Sequence, residues 1–152
     1  MVDRDARDRM ALLLRRLVTG RITNDEFEDE IPRSPADPAV TAIYRHGAWG
    51  LYSDLHQHRL VGRLRLPREE RREVARFILF LKSDLEYEWT SPGLLQGLLW
   101  TVAGLLTLGW THRLYRRRLG RQGEVRVWPF LRQEDFERAV RSPCYLAGPA
   151  RV

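Results

Sequence analysis

Cysteine and lysine are almost missing from this sequence of 152 residues, which has one of each, Cys144 and Lys82. A single cysteine cannot form an intrachain disulfide, which favours a reducing environment. Charged residues begin at Asp3, and no apolar run of signal-peptide length follows them. We therefore expect a cytoplasmic protein, either free or associated with the inner face of the membrane.

The sequence also lacks a glycine-rich phosphate-binding loop and a paired zinc-ligand pattern. His46, His56 and His58 lie near Asp54, but their spacing is more typical of surface or loop histidines than of a metal site. We therefore predict no metal site.

Catalytic groups are equally hard to identify. Asp84, Glu86 and Glu88 could bind a cation or act as acid and base, but no lysine or histidine follows at a nuclease-like spacing. Cys144 has no histidine nearby in sequence. We predict no catalytic residue and no cofactor, while a site assembled from scattered residues remains an alternative.

The net charge of +6 is unevenly distributed. Residues 1–90 hold 16 basic and 16 acidic residues, residues 91–112 hold neither, and residues 113–152 hold 10 basic and 4 acidic ones. The whole excess therefore lies at the C-terminal end.

The uncharged segment from Gly93 to Trp110 reads GLLQGLLWTVAGLLTLGW. Its eighteen residues are at the lower limit of what crosses about 30 Å of hydrocarbon, but a helix surrounded by other helices is also apolar on all sides. We favour a central core helix over about 94–118, with peripheral membrane association through Gly93–Arg121 as the alternative. Residues that allow close packing or mark a membrane interface are Gly93, Gly97, Trp100, Thr101, Gly104 and Trp110.

Basic and aromatic residues follow this segment and suit contact with a partner. They also combine phosphate neutralisation with stacking surfaces, so a nucleic-acid binder is a second alternative. These residues are Arg113, Tyr115, Arg116, Arg117, Arg118, Arg121 and Trp128.

The remaining patterns predict a mainly α single domain over residues 1–152, a helical bundle around the long apolar helix. Apolar spacing predicts helices at about 3–19 and from Pro67, and a capping box at Thr23 starts a short acidic helix. Asp37 and Pro38 start another, whose apolar face continues to Leu55, and a last helix covers about 133–141. Two-residue alternation predicts a minor pair of β-strands at about 85–89 and 124–128.

Two resemblances come from short stretches. FLKSDLEYEW (Phe80 to Trp89) and VWPFL (Val127 to Leu131) resemble stretches of small bacterial proteins that have no assigned activity. LLRRLVTGRITNDEFEDEI (Leu13 to Ile31) resembles the helix, glycine, helix opening of colicin-D-type immunity proteins. The second resemblance implies a protein partner.

These observations favour a non-enzymatic protein-interaction module, for example an immunity or other conflict-system component. The membrane-associated protein and the nucleic-acid binder remain the alternatives.

Overall fold

The computed structural model describes residues 1–89 and 123–146, which form a helical unit. Its α-helices are α1 (Arg4–Val18), α2 (Asn24–Asp29), α3 (Pro38–Ile43), α4 (Arg68–Leu81) and α5 (Gln133–Arg141). Short 3-10 turns occur at Trp49–Leu51, Gly62–Leu64 and Val125–Val127, and a π-helical turn occurs at Tyr44–Ala48. A mainly α fold is therefore confirmed.

The first helix forms where its apolar spacing predicts. Met10, Leu13, Leu14 and Leu17 all face the core and are almost fully buried. Gly20 has φ of +66°, in the left-handed region that glycine adopts at low cost, and it follows the helix end directly. Local sequence signals are thus sufficient to define α1.

Both predicted helix caps are present. The Thr23 hydroxyl accepts from the Glu26 backbone N–H at 3.2 Å, and the Glu26 carboxylate accepts from the Thr23 N–H at 2.8 Å. At α3, the Asp37 carboxylate accepts from the Ala39 N–H at 3.0 Å, with Pro38 in the first turn. These bonds satisfy N–H groups that a helix start leaves unpaired.

The predicted continuation of the third helix to Leu55 is wrong. The α-helix ends at Ile43 and widens into the π-helical turn, after which the side chain of Leu55 is 88% exposed. The wider turn shifts every later side chain around the axis, so the 3.6-residue apolar spacing no longer applies beyond Ile43.

A buried ion pair joins α1 to α3 and α4. Arg7 and Asp37 are 0% and 1% exposed, and the Arg7 Nε lies 2.5 Å from the Asp37 Oδ2. The Arg7 Nη1 also donates to the carbonyls of Ser83 at 3.1 Å and Leu85 at 2.9 Å. The guanidinium therefore satisfies carbonyls beyond the end of α4 while its charge is balanced by Asp37.

The predicted strand pair at 85–89 and 124–128 is wrong, because the described residues contain no β-strand. Residues 84–89 do alternate between exposed and more buried side chains, but without a hydrogen-bonded ladder. The second segment forms a 3-10 turn that places Val127 and Phe130, three residues apart, in the core. The alternation at 85–89 therefore reflects half-burial, and that at 124–128 reflects the spacing of a 3-10 turn. Neither segment pairs as a β-strand.

The two segments nevertheless pack together through aromatic side chains. The Trp89 Nε1 donates to the Pro129 carbonyl at 3.0 Å, and the Trp128 Nε1 donates to the Tyr87 hydroxyl at 3.2 Å. Phe80 and Phe130 meet edge to face, with ring centroids 5.1 Å apart. We call these six residues, including Pro129, the aromatic clasp.

The predicted long apolar helix at about 94–118 lies outside the described residues. None of the helices in 1–89 and 123–146 is both long enough and apolar enough to span a bilayer.

Candidate functional site

An open groove lies between the end of α2 and the turn that follows α3, and its volume is about 470 Å³. Glu28 and Asp29 contribute from α2, and the loop at 31–35 adds a second part of the lining. The third part comes from Thr41, Tyr44 and Arg45. We call this cavity the α2–α3 groove.

The π-helical turn places an exposed tryptophan beside this groove. The Trp49 N–H bonds to the Tyr44 carbonyl, five residues back, instead of the four of an α-helix. In an α-helix, side chains five residues apart point about 140° apart, whereas here the rings stack with centroids 6.4 Å apart and planes 11° apart. Trp49 remains 51% exposed, and we call the pair the aromatic stack.

Gly47 allows the π-helical turn to pack directly against α4. A Cβ at this position would lie 2.6 Å from the Cε2 of Phe77, whose ring is buried. The aromatic stack is therefore supported by a close contact between the turn and the core.

A second aromatic layer supports the stack on the α2 side. Phe27 is fully buried, and its ring lies 6.5 Å from that of Tyr44 and 5.9 Å, edge to face, from that of Tyr52. Burial in this layer leaves the Tyr52 hydroxyl inaccessible to water. Tyr44 and Trp49 are thus held on a packed base.

Glu28 is the acidic residue that interacts most directly with this layer. Burial raises the pKa of Tyr52 above its ordinary value, and the nearby Glu28 carboxylate raises it further. The pKa of Tyr44 is also raised, first by desolvation and then by Glu28. A half-buried carboxylate therefore lies beside two tyrosines at the edge of the groove.

Most residues predicted for partner contact lie outside residues 1–89 and 123–146. Trp128 is the described member of the set, and it is half-buried, edge to face with Phe77 at 5.1 Å. Because its ring packs in the aromatic clasp, the first role that we assign to Trp128 is structural. The other contact candidates and the apolar-helix residues lie outside the described residues, namely Gly93, Gly97, Trp100, Thr101, Gly104, Trp110, Arg113, Tyr115, Arg116, Arg117, Arg118 and Arg121.

The histidines considered for metal binding are only partly brought together. The rings of His56 and His58 have centroids 5.1 Å apart, and the His58 Nδ1 is 2.9 Å from the His56 carbonyl oxygen. Within the part of the chain that the structure describes, no three histidine, cysteine, aspartate or glutamate side chains are grouped to hold a metal ion.

The acidic residues at 84–88 are mostly exposed. Asp84 lies 3.5 Å from the Arg4 guanidinium and accepts from the Tyr145 hydroxyl at 3.1 Å. Cys144 is exposed. The structure thus pairs Asp84 with α1 and the C-terminal tail.

The sequence analysis did not predict the aromatic stack, although it predicted the helix start at Asp37 and Pro38. The available signal was Tyr44, Gly47 and Trp49 after the helix start at Asp37 and Pro38, but α-helical spacing does not bring the two rings together. The groove could not be predicted from the sequence, because its residues come from three separate parts of the chain.

No protein-family model, no curated protein and no solved structure matches the chain.

Proposed function

We propose that this chain is a non-enzymatic protein-interaction module that binds a partner protein at the α2–α3 groove, with the aromatic stack as its anchor. The observation that carries the proposal is Trp49, which is 51% exposed yet fixed face to face on Tyr44. Tryptophan and tyrosine dominate binding energy at protein interfaces, because they bury a large area and lose little conformational entropy.

The form of the module that we propose is an immunity or other conflict-system component. Its support is the helix, glycine, helix opening at Leu13–Ile31, which folds as α1, Gly20 and α2 and contributes Glu28 and Asp29 to the groove. The partner would then be a toxin or another component of the same system.

Affinity capture from the native host tests the proposal with wild-type protein, Trp49→Ala and Leu12→Ala. Leu12 is a matched control because it is 47% exposed on α1 and does not line the groove. We expect one reproducible partner that is retained by Leu12→Ala, is lost with Trp49→Ala and binds the purified wild-type chain directly. A hot-spot residue of this kind contributes about 2 kcal/mol or more, so affinity should fall roughly 30-fold.

Failure to recover any reproducible partner would refute the proposal. So would a partner that binds Trp49→Ala as tightly as the wild-type protein, provided that both proteins have the same thermal midpoint.

A further inference from the structure

The α2–α3 groove contains one carboxylate that differs from the other charged groups. Glu28 is half-buried, whereas Asp29, Arg33 and Arg45 are exposed. Charges that are shielded from solvent are screened less by salt and interact more strongly with an added partner. The lining carries charges of both signs. Glu28 is therefore the group whose pairing with a partner's charge should contribute most to the free energy of binding.

Glu28 has no cationic partner within the described chain. Its neighbours Asp29 and Glu26 are acidic, and Glu30 is paired with Arg9 at 3.9 Å. No arginine or lysine of residues 1–89 and 123–146 lies within 4.0 Å of the Glu28 carboxylate. Within residues 1–89 and 123–146, the Glu28 carboxylate therefore has no cation paired with it.

Tyr44 lines the same groove as this carboxylate, and the exposed Trp49 stacks on the Tyr44 ring. A guanidinium group binds a carboxylate through two N–H groups and stacks flat on tyrosine or tryptophan rings. A carboxylate and an aromatic ring that line one groove are therefore complementary to a guanidinium group.

We propose that the groove binds an arginine side chain of the partner protein, with its guanidinium held by Glu28 and its plane against the aromatic stack. The proposal rests on the proposed function and specifies the partner as one with an exposed arginine. Arg33 and Arg45 then favour acidic residues that flank the anchoring arginine.

A titration of the isotope-labelled full chain, followed by NMR, tests this inference without a known partner. The probes are acetyl-arginine methylamide and acetyl-citrulline methylamide, which have similar shapes but differ in charge. We expect saturable shifts of the Trp49 indole N–H with the arginine probe and no saturation with the citrulline probe.

Two variants identify the group responsible. Glu28→Gln should weaken arginine binding about tenfold, the loss expected for one charge-assisted hydrogen bond, while Asp29→Asn should change it less than twofold. Equal binding of the two probes, or equal effects of the two variants, would overturn the arginine anchor.

The proposed function fails separately. If a captured partner depends on Trp49 but binds Glu28→Gln as tightly as the wild-type chain, the interaction module stands and the arginine anchor is overturned. If no partner depends on Trp49, the interaction module itself is refuted, whatever the arginine probe does.

Discussion

Replacing Asp37 with alanine leaves the buried guanidinium of Arg7 without its counterion. Arg7 would keep the carbonyls of Ser83 and Leu85 as acceptors, but these are dipoles and do not neutralise its charge. Asp37 also accepts from the backbone N–H groups of Asp3 at 3.1 Å and Ala39 at 3.0 Å, so the change removes the cap of α3 as well.

The expected loss follows from the burial of both partners. Breaking a buried ion pair by removing one member costs about 3–5 kcal/mol, because the remaining charge stays in a poorly solvated site. The lost helix cap, worth about 1 kcal/mol, is part of this total. A domain of this size has a total stability of about 5–15 kcal/mol, so Asp37→Ala should be severely destabilised.

Urea denaturation followed by circular dichroism measures this loss. With an m value of about 2 kcal/mol/M, the midpoint should fall by roughly 1.5–2.5 M. Asp37→Asn is the milder companion, because it retains an oxygen that can cap α3 while losing the charge. If Asp37→Ala is too unstable to measure, the midpoint of Asp37→Asn should still lie below that of the wild-type chain.

An exposed ion pair provides the control. Glu30 and Arg9 lie 3.9 Å apart with side chains 47% and 60% exposed. Glu30→Gln should therefore change stability by less than about 1 kcal/mol. A loss for Asp37→Ala no larger than that for Glu30→Gln would refute the assignment of the pair as a buried structural charge.

Three further predictions concern local contacts. Gly47→Ala should cost about 1–3 kcal/mol in urea denaturation, because the added methyl group would overlap the ring of Phe77; an unchanged midpoint would contradict the close contact. Thr23→Ala should cost about 1 kcal/mol by removing the capping box, whereas Thr23→Ser should restore most of it and would fail to do so if the hydroxyl were unimportant. Ser34→Ala should raise the pKa of Asp3 toward its ordinary value of 3.8, since the Ser34 hydroxyl is the main cause of the lowered pKa; an unchanged pKa in an NMR titration would argue against this hydrogen bond.

The direction of the pKa shift of Asp3 also determines how its contribution to stability depends on pH. Because folding lowers the pKa of Asp3, the stabilisation is present above the ordinary pKa and is lost as the pH falls through the folded value. The difference in stability between the wild-type chain and Ser34→Ala should therefore be constant near neutral pH and disappear in acid.

Local signals predicted the parts of the fold that local physics determines. The caps at Thr23 and Asp37 and the apolar face of α1 all act within a few residues, and the structure confirms them. The π-helical turn could not be predicted in this way, because the apolar spacing continues through it and its contact with Phe77 joins it to a helix distant in sequence. Spacing alone also could not distinguish a β-strand from the half-buried segment at 84–89, which forms no β-ladder.

The candidate site was predicted less well than the fold. Partner contact was expected from the basic and aromatic residues after the apolar segment, and nothing in the spacing of Glu28, Tyr44 and Trp49 indicates that they form one site. The buried ion pair of Arg7 was also not predicted, because the sequence does not indicate which of its many arginines is buried. In both cases the deciding contacts join distant parts of the chain.

The aromatic clasp has a consequence for how the chain could be divided. It joins residues on both sides of the 90–122 segment through buried rings and two indole hydrogen bonds, so the two sides do not depend on the peptide backbone alone for their association. Fragments 1–122 and 123–152, made as separate polypeptides, should therefore recombine into a non-covalent complex. The domain would then be a split protein whose halves recognise each other through Trp89 and Phe130.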